Sequence, residues 1–89
     1  MLSVQRALLG EVSSAMRAVL VEFDETRVEI TFVFDGEISE EDTESASCVE
    51  TEVIADMRED SVVTARCLRI DAPGEIKLPG ERVFARREL

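Results

Sequence analysis

The pattern that constrains this chain most is a pair of period-two runs separated by three polar residues. In residues 17–23, Val19, Val21 and Phe23 alternate with Ala18, Leu20 and Glu22. After Asp24-Glu25-Thr26 the alternation resumes, with Val28, Ile30, Phe32 and Phe34 on one side and Arg27, Glu29, Thr31, Val33 and Asp35 on the other. Successive side chains of a strand point to opposite faces, so each run presents one strongly apolar face. Two strands joined by so short a polar break form an antiparallel hairpin. An apolar sheet face must be buried against a second layer, and the rest of the chain has to supply it.

Two helices are expected to do so. Residues 3–14 carry Val4, Ala7, Leu8 and Val12 at helical spacing, with Ser3 as N-cap and Gly10 as a weak point. A second helix begins at Ser39, with Glu40, Glu41 and Asp42 filling the first turn, where the helix dipole favours negative charge. Ser39-x-x-Asp42 is a variant capping box. Ala46, Val49, Val53 and Met57 fall on one stripe, widened by Ile54, and the helix is expected to end near residues 58–60. Residues 61–70 are β-branched. Val63, Ala65 and Cys67 share one face and Val62, Thr64, Leu68 and Ile70 the other, which predicts a central strand. Pro73-Gly74 and Pro79-Gly80 mark residues 71–81 as a loop. A short last strand over residues 82–86 is anchored by Val83 and Phe84, and Arg86, Arg87 and Glu88 are expected to fray into solvent. The order predicts a single α+β domain over residues 1–89, a two-layer αββαββ sandwich. Its four-stranded sheet is expected to be mostly antiparallel, with both helices on one face. A three-stranded sheet with a disordered C-terminus is the alternative.

Composition excludes many functions. A chain of 89 residues buries roughly 60–65% of its unfolded surface and offers little cleft. It has no His, Trp or Tyr. Without His the usual base or ligand of serine, cysteine and zinc hydrolases is missing, so no catalytic residue, metal or cofactor is expected. Asp35-x-Glu37-x-Ser39 is no calcium loop, because Gly36 stands at the second position rather than the sixth. Cys48 and Cys67 lack metal or redox spacing and read as two reduced thiols of a cytoplasmic protein. Cys48 is expected on the exposed helix face and Cys67 buried. No apolar run has the length of a membrane span, and the opening MLSVQRALLGEV lacks the basic start of a signal peptide.

What remains is charge. The net charge is −10. Between Asp35 and Asp60 stand eleven acids against Arg58 alone, so this stretch holds all of it. The remainder balances at nine acids and nine bases. Such a distribution disfavours nucleic acid and anionic membranes and suits a basic protein partner. The predicted partner face comprises Glu40, Glu41, Glu44, Glu52 and Glu59, with Asp56 at its border. Like charges at i,i+4, as in Glu40 and Glu44, cost about 0.2–0.5 kcal/mol each, which sign alternation would have avoided. A solvated acidic face, or a carboxylate enzyme or cation-binding protein, are the competing readings.

Two stretches, Asp35-Gly36-Glu37-Ile38-Ser39-Glu40-Glu41-Asp42 and Val49-Glu50-Thr51-Glu52-Val53-Ile54-Ala55-Asp56, resemble a family of short bacterial proteins. Its members look like cognate immunity proteins of polymorphic and contact-dependent growth-inhibition toxin systems. The resemblance spans residues 17–70 and implies a cytoplasmic protein that binds and neutralises a toxin domain, often a nuclease; together with the acidic face it leads to the expectation of a non-enzymatic inhibitor acting by stoichiometric occlusion. It transfers no interface residues. A non-toxin interaction or regulatory module, including a homo-oligomer, is the alternative.

Overall fold

In the computed structural model, which describes residues 2–86, the hairpin lies at the centre of a four-stranded sheet. The elements are α1 (Leu2–Ala7), β1 (Met16–Phe23), β2 (Arg27–Phe34), α2 (Glu40–Asp56), β3 (Val62–Arg69) and β4 (Glu81–Ala85). The sheet order is β3-β2-β1-β4. β1 and β2 pair antiparallel from Phe23↔Val28 to Met16↔Phe34. The Asp24 carboxylate fixes their turn by accepting the backbone N–H groups of Thr26 and Arg27, each at 2.9 Å.

The expected mostly antiparallel sheet is corrected: the sheet is mixed, because β3 runs parallel to β2 in unbroken register from Arg27↔Val62 to Phe34↔Arg69. Element lengths give the reason. α2 has 17 residues, about 26 Å at ~1.5 Å per residue. An eight-residue strand spans about the same distance at ~3.3 Å per residue. The helix therefore carries the chain back to the start of β2, and the next strand must run the same way.

β3 is also an edge strand rather than the central one expected. Its two apolar sides have separate causes. One core cluster joins Val4, Ala7 and Leu8, alternate residues of β1 and β2 including Val19, Ile30, Phe32 and Phe34, and Ala46, Val49 and Val53 of α2. Val63, Ala65 and Cys67 pack against that cluster. On the other sheet face Ala18, Leu20 and Val33 form a second cluster, covered by Ile70, Ile76 and Leu78. The connection between β3 and β4 is thus a strap over the second face, and the sheet is covered on both sides.

Arg17 holds this strap. A bulge between Met16 and Ala18 breaks the alternation of β1 at this residue. Its buried guanidinium donates to the carbonyls of Ile70 (2.7 Å) and Gly74 (2.9 Å).

Other expectations change locally. The first helix ends at Ala7 rather than residue 14. Gly10 takes φ +82°, and Val12 is exposed. Ser3 lies inside α1 rather than capping it, and its hydroxyl donates to Asp56 Oδ2 at 2.9 Å. Phe23, expected on the core face, is mostly exposed where β1 leaves the sheet. Arg86 is anchored, not frayed. Its N–H donates to Arg17 O at 2.7 Å and its guanidinium to Ser14 O at 2.9 Å and Asp35 Oδ2 at 3.1 Å. Arg87 and Glu88 lie outside the described residues.

Candidate functional site: the acidic side of the long helix

α2 begins where the capping chemistry requires. Ser39 is extended (φ −76°, ψ 164°) and its Oγ accepts the Asp42 N–H at 3.1 Å. Among the described residues only this half of the capping box is formed. The Asp42 side chain is instead buried, close enough to Cys67 for its charge to act on that thiol. Asp42, Ala46, Val49 and Val53 form the buried stripe. Ile54, expected to widen it, is half exposed, and Met57 is the half-buried C-cap.

All six predicted partner residues are exposed, but they are not one helix face. Taking the stripe as the inward direction, Glu40 and Glu44 point directly outward at 100° per residue, and Glu41 and Glu52 lie on one flank. Asp56 closes the helix beside the stripe and accepts the Ser3 hydroxyl, which ties α2 to α1. Glu59 is corrected: α2 ends at Asp56, so Glu59 belongs to the connection into β3. Among the described residues no cation stands within ion-pair distance of Glu40, Glu41, Glu44 or Glu52. Cys48 is exposed among them, as expected. Cys67 is half-buried rather than buried, and desolvation first, then the Asp42 carboxylate, raises its pKa above the ordinary value of 9.0.

Two further acidic features lie outside the predicted partner residues. Glu50 leaves the solvent side of α2 and its Oε2 accepts the Ala65 N–H at 2.7 Å, a side chain bonded to the backbone of an edge strand. Beside it, Ala46, Ala65 and Cys67 line a mostly apolar groove of about 290 Å³ between α2 and β3. The available signal was position: Glu50 directly follows Val49, at the margin of the apolar stripe. The second feature is a knot at the carboxyl ends of β2 and β3. Asp71 accepts Gly36 N–H (2.7 Å) and the Arg69 guanidinium (3.0 and 3.2 Å), and Asp35 accepts Ala72 N–H (3.2 Å) and Arg86 (3.1 Å). The Arg69 contact, then the Gly36 N–H, lowers the Asp71 pKa below 3.8. In open sheets of parallel strands these ends commonly receive a ligand. Here the chain's own groups occupy the carboxylates. No group of three or more His, Cys, Asp or Glu able to hold a metal occurs among the described residues, and none of their helices is long and apolar enough to cross a membrane.

The described residues form an α+β fold whose 17-residue helix carries exposed carboxylates, in a chain of net charge −10. The family model for MafI2 immunity proteins matches residues 1–88, and the chain belongs to that family. Membership points to a toxin-neutralising role, in agreement with the resemblance carried by residues 35–42 and 49–56. No curated protein matches the chain.

Proposed function

We propose that this protein neutralises a cognate bacterial toxin in the cytoplasm by binding it stoichiometrically, without chemistry of its own. The contact is the acidic side of α2, through Glu40, Glu41, Glu44 and Glu52, with Asp56 and Glu59 at its end. The toxin presents a basic surface, and a nuclease suits it best, since a substrate cleft for a phosphate backbone is lined with cations. A row of carboxylates can occupy such a cleft in the place of phosphates.

The observation that carries this reading is that Glu40, Glu41, Glu44 and Glu52 stand exposed with no cation among the described residues to neutralise them. Unbalanced like charge on a helix costs stability, and a basic partner offsets it. The test is calorimetric titration, at increasing salt, against the cognate toxin domain, to be sought among the genes adjoining this one. One-to-one binding that weakens as salt screens the charges is the expected result. Binding indifferent to salt would exclude charge mimicry and leave only the toxin-binding role.

A further inference from the structure

We infer that the outer edge of β3 receives an extended, cationic segment of the toxin as an added strand, with Glu50 as the residue that guards the edge and then meets the segment's positive charge. This rests on the toxin-binding reading and assigns the part of the partner that docks.

The backbone directions fix the edge. Val62 N–H donates to Thr26 O and Ile70 N–H to Phe34 O. In a strand the pairing direction alternates, so the even-numbered residues bond to β2, and Val63, Ala65, Cys67 and Arg69 turn their N–H and C=O groups outward. Among the described residues the only partner for this outward row is Glu50, on Ala65 N–H. An edge of eight residues in unbroken register is a template for another strand. Native edges are commonly blunted by shortness, bulges or charge. β4 is blunted in that way, being five residues long with a register shift at Val19/Leu20. β3 carries Arg66 and Arg69, but their guanidinium groups are engaged by Thr31 and Asp71, and its outward N–H row meets one carboxylate, a side chain that can swing aside where a bulge cannot.

The groove beside this edge sets the chemistry of the occupant. Ala46, Ala65 and Cys67 leave room for an apolar side chain of the incoming strand. Glu50 and Arg66 also border the groove, but the Arg66 guanidinium donates to Thr31 Oγ1 at 2.9 Å, so Glu50 is the charge facing the groove and the strand that fits carries a Lys or Arg next to that apolar residue. A second copy of this chain fits poorly. Pairing two β3 edges would bring together two Glu50 carboxylates and two molecules of net charge −10.

The experiment is backbone amide hydrogen exchange, read residue by residue by NMR, on the free protein and on its complex with the catalytically silenced cognate toxin domain. Free, the amides of Val63, Cys67 and Arg69 exchange fast and Ala65 more slowly. Bound, at least two of the three fast amides slow by tenfold or more. A complex that leaves all three unprotected overturns the edge and leaves the toxin-binding reading standing. Failure to form any complex overturns both. Protection that grows with protein concentration in the absence of toxin assigns the edge to a second copy and overturns the toxin strand as its occupant. Glu50→Gln keeps an acceptor for Ala65 N–H, so it should fold normally yet bind the same toxin domain about tenfold more weakly. Unchanged affinity would overturn the cation contact.

Discussion

Cys48 and Cys67 have the same chemistry and different surroundings, and the difference is measurable. The thiolate is the reactive species, so exposure and pKa together set the labelling rate. Cys48 is exposed, whereas Cys67 is half-buried with its pKa raised by desolvation and by Asp42. A maleimide added to the native protein near pH 8 should label Cys48 first and Cys67 slowly, without any need for unfolding. Asp42→Asn removes the like charge and should speed Cys67 alone; equal rates at both thiols in the wild type would contradict the surroundings described. Asp71 gives the pH counterpart. Its carboxyl is held below the usual 3.8 by Arg69 and the Gly36 N–H. A lowered folded-state pKa means that the stabilisation is complete above 3.8 and is lost as the pH falls below that value through the folded-state pKa. Asp24, lowered by the N–H groups of Thr26 and Arg27, acts in the same direction. Melting temperatures from pH 6 down to 2 should therefore fall at the acid end, and Asp71→Asn should flatten that limb; an unaltered limb would show that the knot is not coupled to folding.

At the scale of elements, the sharpest constraint is where the strap re-enters the sheet. Gly80 has φ +108°, and a Cβ there would lie 2.8 Å from Val21 O and 3.0 Å from Glu22 Cγ. The next residue, Glu81, pairs with Val21. Gly80→Ala should cost about 1–3 kcal/mol, through backbone strain and displacement of β4 from β1. The readout is a lower melting temperature with faster amide exchange in β4 and none in β3; a wild-type melting curve would mean that the strap repositions freely. The hairpin and the Ala46/Val49/Val53 stripe were legible in the sequence because period two and period 3.6 are local signals. The parallel pairing of β3 was not, because strand direction depends on where α2 returns the chain, although the match between a 17-residue helix and an eight-residue strand held the hint. The apolar second side of β3 was read as a central position, yet it reflects a strap whose Ile70, Ile76 and Leu78 cover the sheet. For the site, exposure of the acids was legible from the helical wheel, but Glu59 was placed by extending the helix past its true end. The role of Glu50 depends on a strand edge fifteen residues away, which no periodicity reports.

For the molecule as a whole, the fold separates structure from charge. Asp24, Asp35 and Asp71 are bonded to backbone or side chains of this chain, as are Asp56 and Glu50 at the margins of the proposed contacts. Glu40, Glu41 and Glu44 are exposed and have no such contact among the described residues, so their charge can be reversed with little effect on folding. Changing all three to Lys moves the net charge from −10 to −4. Ser39 still caps α2 and Lys is a comparably good helix former, while positive charge in the first turn opposes the helix dipole by about 0.3–1 kcal/mol per site. The triple variant should therefore keep its circular dichroism and most of its melting temperature. Its association with the cognate toxin domain should slow by about tenfold or more at low salt, with the gap to wild type closing as salt screens the steering field. Protection of cells expressing that toxin should weaken in parallel. The comparison variant is Lys77→Glu with Arg82→Glu, both exposed and both distant from α2 in the chain, which takes the net charge to −14. If net charge alone drives encounter, this variant should bind faster than wild type. If the α2 face is the contact, it should stay near the wild-type rate while the triple variant fails. A triple variant that binds and protects as well as wild type would return the acidic face of α2 to the role of a solvated surface and leave the β3 edge to carry recognition.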